Sequence, residues 1–368
     1  MSLVLISGDK TSIIATKSGN SCVIPKALGN ADYMDALGVS GKVIARQNSV
    51  YNAFPAMVKI GSSLIGIYSS GAGHGNSDRQ IMVRSDDSGA TWTSATFYEN
   101  AGAVYNNTLL NGLMATGDKI GLKTWTIEKT VGGYNNTIVS TVANGGITYA
   151  LWTNDMIDIG GVKYKTGYGT NAGFTQTALF KSTNGGVTWT FVSIMAAHAA
   201  RNYSEAGLCR CTNGDLFAVV RQDGFSSTRP LWWIRSTDGG LTWTAPVQYD
   251  PGDINGVQPY LFTLANGDVI LMAGDRVGFS GINGNGLTST AEGITGISAW
   301  RSSDHGVTFT SRSMIAPMWS TDGGQPAPVQ LANGNVGFLC YLAPAPTDGT
   351  NGVEPEVWFL SFNPNSLV

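Results

Sequence analysis

The residues of this chain best placed to do chemistry are a glutamate and two arginines at the ends of apolar hairpins. Glu205 opens one apolar segment, and Arg221 closes the segment that follows the Asn213-Gly214 turn. Because a single hairpin separates Glu205 from Arg221, both side chains can return to the same end of a sheet. Arg276 closes the next hairpin, although a salt bridge would also explain its presence there. A carboxyl group can transfer a proton, and two guanidinium groups can hold one anion. The set would therefore suit an acidic ligand.

A glycine-rich loop earlier in the chain contains His74, followed by Asp78 and Arg79. The ordinary pKa of histidine lies near neutrality, which suits proton transfer. The alternative is a solvated loop histidine without a chemical role. The sequence contains no phosphate-binding loop, dinucleotide fingerprint or cluster of metal ligands, so we predict no cofactor and no metal.

A repeated eight-residue box supplies the turns that would position these residues. In each copy an Asp or Asn side chain can bond the backbone of its own turn, a glycine takes a positive φ, and an aromatic residue packs beneath. The copies are residues 85–92, 182–189, 236–243 and 302–309, with a degenerate copy at 144–149. Between the boxes, Asn-Gly turns join apolar strands, which indicates β-hairpins. The spacing predicts an all-β, six-bladed β-propeller. We expect one domain over residues 1–368, with a lead-in segment at 1–45 and the six blades at 46–368.

The composition agrees with this fold and excludes two classes of partner. Glycine makes up 48 of the 368 residues and only 13% are charged, against usual values of about 7% and about 25%. The net charge of −3 offers no basic excess for a nucleic acid. No segment is apolar over the roughly 18 residues that a membrane span needs. We therefore predict no nucleic-acid partner and no membrane insertion. The first residues also lack the basic and apolar regions of a signal peptide.

About residues 50–345, which contain the boxes, resemble the Asp-box repeat of the sialidase (neuraminidase) superfamily, although propellers with other functions also carry this box. Residues 203–208 and their hairpin resemble the sialidase stretch in which a catalytic glutamate opens an inner strand and a carboxylate-binding arginine ends the next. The resemblance implies that Glu205 is this glutamate and that Arg221 and Arg276 bind the carboxylate of the sugar.

Two positions depart from the pattern of ordinary exo-sialidases. Those enzymes open the first blade with an arginine, where this chain has Ala53, and offer a nucleophilic tyrosine in the last blade, where it has Gln325. Without the tyrosine the covalent, retaining route has no nucleophile. We therefore do not expect an ordinary exo-sialidase.

The chain resembles more closely the endosialidases of bacteriophage tailspikes, which cut polysialic acid capsules, lack that tyrosine and use a histidine from the first blade. The resemblance implies an inverting mechanism, with Asp78 as a second candidate for the general acid and Tyr51 as the site tyrosine. The catalytic set that it implies is Glu205, His74, Arg221 and Arg276. The substrate-binding residues that we predict are Tyr51, Asp78, Arg79, Tyr203, Arg229 and Gln325.

The predicted partner is accordingly a polysaccharide that contains sialic acid or another acidic sugar, and the predicted location is extracellular or in the tail of a phage particle. If the chain belongs to a tailspike, the resemblance implies a homotrimer. Two other functions stay open at this point. One is a lectin-like, receptor-binding propeller that binds a glycan without cutting it, and the other is a hydrolase of a different acidic glycan, such as one that contains a uronate.

Overall fold

The computed structural model describes residues 2–6, 12–17, 20–25, 39–45, 50–73, 77–99, 141–151, 157–184, 188–223, 230–248, 256–275, 295–310, 312–318, 323–342 and 355–367. The strands in chain order are β1 (Ser2–Ile6), β2 (Ser12–Lys17), β3 (Asn20–Pro25), β4 (Ser40–Ala45), β5 (Tyr51–Ile60), β6 (Ser63–Gly71), β7 (Ser77–Ser85), β8 (Thr93–Glu99), β9 (Thr141–Asn144), β10 (Ile147–Leu151), β11 (Ile157–Ile159), β12 (Val162–Asn171), β13 (Phe174–Ser182), β14 (Thr190–Ala196), β15 (Asn202–Arg210), β16 (Leu216–Asp223), β17 (Leu231–Ser236), β18 (Val247–Gln248), β19 (Gly256–Thr263), β20 (Val269–Asp275), β21 (Thr295–Ser302), β22 (Ser313–Met318), β23 (Gly324–Gln330), β24 (Val336–Leu342) and β25 (Glu356–Phe362). One 3-10 helical turn follows at Pro364–Ser366.

The strands form antiparallel sheets, five of which have four to six strands. Four of these sheets have the orders β5-β6-β7-β8, β15-β16-β17-β18, β19-β20-β21-β22 and β23-β24-β25-β4. The fifth has the order β14-β13-β12-β10-β9, with β11 also paired to β12, while β1 to β3 form a separate three-stranded sheet. The all-β class is therefore confirmed. A closed ring of six blades stays a prediction, because only these five sheets of that size lie within the described residues.

The sheets pack face to face, and strand β16 shows why. Its residues alternate between two apolar clusters, with Phe217 and Val219 packed against the sheet of β19 and Ala218 and Val220 against the sheet of β12. Because neighbouring side chains on a strand point to opposite faces, this pattern means that both faces of the sheet are buried. The first strands of the four sheets with four strands also contact one another, in the order β15, β19, β23 and β5.

The last of these sheets is completed from the other end of the chain. Strand β4 pairs with β25, with Val43 opposite Trp358 and Ser40 opposite Ser361, whose hydroxyl groups are 2.6 Å apart. The predicted lead-in of residues 1–45 thus includes the fourth strand of a sheet, which no feature of the sequence had indicated. The pairing covers the edge of β25 that would otherwise present unpaired backbone groups.

The boxes satisfy their own turns, as predicted. In the third box Asp238 accepts hydrogen bonds from the backbone and hydroxyl groups of Thr242, while the Ser236 hydroxyl accepts from the N–H of Gly240. Hydrogen bonds from the Thr242 side chain, then from its backbone and from Ser236, lower the pKa of Asp238 to about 2. The same contacts recur around Asp87 and Asp304, and Asn184 reproduces them without a charge.

The degenerate box is also a hairpin turn, with Gly145 and Gly146 at positive φ between β9 and β10. Its strands, however, extend the sheet of β12 through the pairing of Ala150 with Tyr168, so they do not begin a separate sheet among the described residues. Its aromatic residue, Tyr149, is buried and its hydroxyl accepts a hydrogen bond from Gln176.

Cys209, Cys211 and Cys340 are free cysteines with buried side chains. The described residues include no group of three or more His, Cys, Asp or Glu that could hold a metal ion. Nor does any helix in that part of the chain have the length and apolar character to cross a membrane.

Candidate functional site

A β-bulge recurs at the start of the first strand in four sheets. In each case two residues of the first strand lie opposite a single residue of the second strand, which bends the chain and re-aims its side chains. The register shifts fall between Ala53 and Ala56, Tyr203 and Ala206, Val257 and Tyr260, and Gly324 and Ala327. The bulge residues are Phe54-Pro55, Ser204-Glu205, Gln258-Pro259 and Gln325-Pro326. Because these first strands contact one another, the four bulges form one repeated structural feature at one end of the sheets.

The backbone at three of the bulges is strained. Phe54, Gln258 and Gln325 have φ values of 56°, 52° and 46°, a left-handed conformation that residues other than glycine rarely adopt. Each such residue costs about 1–3 kcal/mol, and strain of this kind concentrates at functional sites. Proline follows all three strained residues, whereas β15 has Glu205 at the same place. At the second position of the bulge, β15 therefore carries the carboxylate of Glu205, whereas the other three strands carry a proline, which has no N–H group.

Glu205 forms a buried ion pair with Arg221, the residue directly across the bulge. Arg221 Nη1 lies 2.8 Å from Glu205 Oε2, and the side chains are 16% and 9% exposed. The backbone N–H of Gln258, in the neighbouring sheet, donates to the same carboxylate oxygen over 2.9 Å. The predicted proximity of Glu205 and Arg221 is thus observed, and the hydrogen bond from Gln258 joins their sheet to the neighbouring one.

A second carboxylate accompanies Arg221. Arg221 Nε lies 2.9 Å from Asp223 Oδ1, but the N–H group of this nitrogen is not aimed at the oxygen and makes no hydrogen bond. Burial acts to lower the pKa of Arg221, but the carboxylates of Glu205 and Asp223 outweigh it and raise that pKa. The guanidinium is therefore charged at any pH at which the protein would act.

One oxygen of Glu205 and one nitrogen of Arg221 are open, that is, without a hydrogen-bond partner among the described residues. Among the described residues, no group donates to Glu205 Oε1 and none accepts from Arg221 Nη2. Neither atom is among the buried atoms of the described residues that lack a hydrogen-bond partner. The pair can therefore offer one carboxylate acceptor and one guanidinium donor to a bound molecule.

The hydrogen bonds continue from Gln258 into the last sheet. Gln325 donates its backbone N–H to Gln258 Oε1 over 2.8 Å, and its side-chain nitrogen lies 3.1 Å from the carbonyl oxygen of Pro55. The Gln325 side chain is buried, so its amide serves the protein's own backbone rather than an open site. Gln325 stands where the resemblance expects a tyrosine, and as an amide it has no nucleophilic oxygen to offer.

Tyr203 lies beside the bulge of β15 and is also buried. Its ring packs edge-on against Trp232 with centroids 5.7 Å apart, and Arg201 lies over the same indole at 4.8 Å. Burial raises the pKa of Tyr203, and the nearby Arg201 opposes this only in part. Tyr203 thus supports the site from the apolar side, and Arg201 adds a positive charge nearby.

The remaining predicted site residues lie either on the described strands β5 and β7 or outside the described residues. Tyr51 begins β5, but it is buried in the apolar cluster that includes Tyr341 and packs against Phe54. Arg79 lies on β7, half-buried, close enough to Tyr68 for its charge to affect that hydroxyl. Asp78 lies on the same strand, with its side chain outside the described part of the structure. His74, Arg229 and Arg276 lie outside the described residues, although β20 ends at Asp275, immediately before Arg276.

Gln258 is the site residue that sequence reasoning missed. A signal for it was present, because the dipeptides Phe54-Pro55, Gln258-Pro259 and Gln325-Pro326 each stand at the start of an apolar strand. Proline inside a strand is confined to edges and bulges. Three such prolines at equivalent places would have predicted the bulges, and Glu205 would then have stood out as the exception.

No protein-family model and no curated protein sequence matches this chain. Solved structures do match its fold. A protein of unknown function from Dyadobacter fermentans is 16% identical with a TM-score of 0.61, and the match covers 88% of this chain and 98% of that one. The sialidase of Trypanosoma rangeli in complex with the inhibitor DANA is 13% identical with a TM-score of 0.51, over 88% of this chain and 60% of the sialidase. The same sialidase in complex with sialic acid gives a TM-score of 0.50. At these identities the likeness concerns the fold, and the chain therefore shares its fold with a sialidase.

Proposed function

We propose that this protein is a glycoside hydrolase of the sialidase type that cleaves an acidic capsular polysaccharide such as polysialic acid. Cleavage takes place at internal linkages of the polymer and inverts the configuration at the anomeric carbon. The observation that carries the proposal is the Glu205–Arg221 pair, 2.8 Å apart across the bulge of an inner strand. The likeness of the fold to that of a sialidase also supports the proposal. The endo-acting mode and the substrate come from the resemblance to tailspike endosialidases.

The identity of the last bulge residue favours direct attack by water. Gln325 has no nucleophilic oxygen, and its amide is held by Pro55 and Gln258. In the proposed reaction a water molecule attacks the anomeric carbon and passes its proton to Glu205 Oε1, while His74 or Asp78 protonates the leaving oxygen. This division between a base and an acid is that of inverting glycosidases.

The charge of the described site sets a condition on the substrate. Arg221 contributes one positive charge, while Glu205 and Asp223 contribute two negative charges. An acidic sugar would therefore be repelled unless further cations face it. Arg276 and Arg229 are the candidates for that role, together with Arg201 beside Trp232.

The test compares cleavage of polysialic acid by the wild type with cleavage by Glu205→Gln. Gln is of similar size and still accepts a hydrogen bond, but it cannot take the proton from water. We expect the chain length of the polymer to fall with the wild type and cleavage by Glu205→Gln to be slower by about 10²–10⁴-fold, the usual contribution of a general base. Equal cleavage by both proteins would refute the role of Glu205.

Asp215→Asn is the matched control for this variant. Asp215 pairs with Arg235 at 3.1 Å in the same sheet, but it precedes β16, whereas Arg221 lies near the end of that strand. Both substitutions replace the carboxylate of an arginine pair by an amide. We expect Asp215→Asn to cleave as fast as the wild type, so a loss confined to Glu205→Gln would not arise from a weaker sheet.

A glycan-binding protein without hydrolytic activity is the second candidate. The observation that favours it is the buried amide of Gln325 at the position where an exo-sialidase offers its nucleophile. A glycan array combined with an assay for reducing ends separates the two functions, since binding without new reducing ends selects the second. Arg221→Ala should weaken binding of acidic glycans more than neutral ones in either case. If Arg221→Ala weakens the binding of uronate polymers and leaves the binding of sialic acid polymers unchanged, the substrate is a polymer that contains a uronate.

A further inference from the structure

We propose that Gln258 and Gln325 act as an amide clamp that holds the Glu205 carboxylate against Arg221, which makes both glutamines positioning residues of the site. The role in catalysis rests on the proposed function, whereas the clamp itself does not. Both side chains are buried, with 7% and 2% of the residue exposed.

The first part of the clamp is the backbone of Gln258. Its N–H donates to Glu205 Oε2 over 2.9 Å, from a left-handed conformation with φ of 52°. This conformation is unfavourable for glutamine and persists only where the surroundings hold it. The direction of this N–H therefore depends on whatever restrains Gln258.

The second part is the contact between the two glutamines. Gln258 Oε1 accepts the backbone N–H of Gln325 over 2.8 Å, and Gln258 Nε2 lies 3.4 Å from Gln325 Oε1. Gly324 leaves the space for this contact, since a Cβ atom there would lie 3.0 Å from Gln258 Oε1. The side chain of Gln258 is thus held at both of its polar atoms.

The third part anchors the clamp in the first sheet. Gln325 Nε2 donates to the carbonyl oxygen of Pro55 over 3.1 Å. The hydrogen bonds therefore run from Arg221 through Glu205, Gln258 and Gln325 to Pro55, across four neighbouring sheets. Because two donors converge on Glu205 Oε2, the position of the open oxygen, Oε1, is determined by the same contacts.

The test measures deuterium exchange at the Gln258 amide by NMR on the full chain, in the wild type, Gln325→Met and Gln325→Glu. Met fills the space of Gln325 without its polar atoms, and Glu keeps the size and the acceptor but loses the donor to Pro55. We expect exchange at Gln258 to be faster by about tenfold or more in both variants, because the local hydrogen bond opens more often. Leu261, on the same strand, serves as the internal reference.

Gln176→Met is the matched control, because the Gln176 side chain is also buried and its amide donates to the Tyr149 hydroxyl instead of joining the contacts of Glu205, Gln258 and Gln325. It should leave exchange at Gln258 within about twofold of the wild type. If Gln325→Met does not fold, deuterium exchange at the Gln258 amide in Gln325→Glu tests the clamp instead. Unchanged exchange at Gln258 in a folded Gln325 variant would overturn the clamp, whatever the protein does to glycans.

Cleavage kinetics then test positioning separately. If the wild type cleaves polysialic acid, we expect both Gln325 variants to lower kcat by about 10-fold to 100-fold with KM within about twofold, the result for a group misplaced only for the transition state. Equal kcat values would overturn the positioning role. A wild type that cleaves nothing refutes the proposed function, and the exchange result then decides the clamp alone.

Discussion

The free energy of the Glu205–Arg221 pair can be measured with a double-mutant cycle of Glu205→Gln and Arg221→Met. Gln keeps a neutral acceptor for the Gln258 amide, and Met keeps much of the apolar length of arginine without its charge. Each single variant leaves one charged or polar group of a nearly buried pair without its partner. The cycle isolates the interaction between the two side chains from the other effects of each substitution.

The expected magnitude follows from the burial and the neighbours of the pair. Breaking a buried ion pair by removing one partner costs about 3–5 kcal/mol. Asp223 remains near Arg221 Nε at 2.9 Å and offsets part of the lost attraction. We therefore expect Glu205→Gln to lower the free energy of unfolding by about 2–3 kcal/mol, with a coupling energy of about 2 kcal/mol in the cycle.

Urea denaturation at pH 7 provides the measurement, and an exposed pair provides the control. Lys163 and Asp158 approach to 2.5 Å, closer than Glu205 and Arg221, but their side chains are 26% and 47% exposed. A cycle of Lys163→Met and Asp158→Asn should give a coupling of about 0.5 kcal/mol or less, as exposed pairs do. Equal couplings in the two cycles would refute the reasoning, because burial rather than distance is expected to decide the strength.

Two further predictions concern the third box. The pKa of Asp238, lowered to about 2 chiefly by the Thr242 hydroxyl, means that its contribution to stability is complete above about pH 4 and is lost as the pH falls through about 2. Asp238→Asn should therefore lose less stability than the wild type between pH 4 and pH 2 in urea titrations, and an unchanged loss would contradict this account. Gly240→Ala should cost about 2–4 kcal/mol, because its Cβ would lie 2.3 Å from Leu179 Cδ2 in the neighbouring sheet. Gly239→Ala, also at positive φ but with nothing within 4 Å, should cost about 1 kcal/mol, and equal losses would show that the contact between sheets is unimportant.

The candidate site could be predicted in part. The hairpin around Asn213-Gly214 predicts that Glu205 and Arg221 return to the same end of a sheet, and they lie in contact there. The prediction for Tyr51, at the head of the first blade, came from the resemblance to tailspike endosialidases, and this tyrosine packs into an apolar cluster. The position of a residue along a strand indicates the end of the sheet at which it lies, but a one-residue bulge can change the face to which its side chain points.

The sequence by itself determined the local structure. The boxes and Asn-Gly turns specify hairpins because their side chains bond within a few residues, and short continuous runs of apolar residues specify strands that are buried on both faces. Only the tertiary structure decided which sheets are neighbours, that β4 completes the sheet of β25, and that Gln258 and Gln325 support Glu205. These contacts join residues 53 and 67 positions apart. Their hydrogen bonds form only once the first strands of separate sheets lie side by side, so no local pattern of residues encodes them.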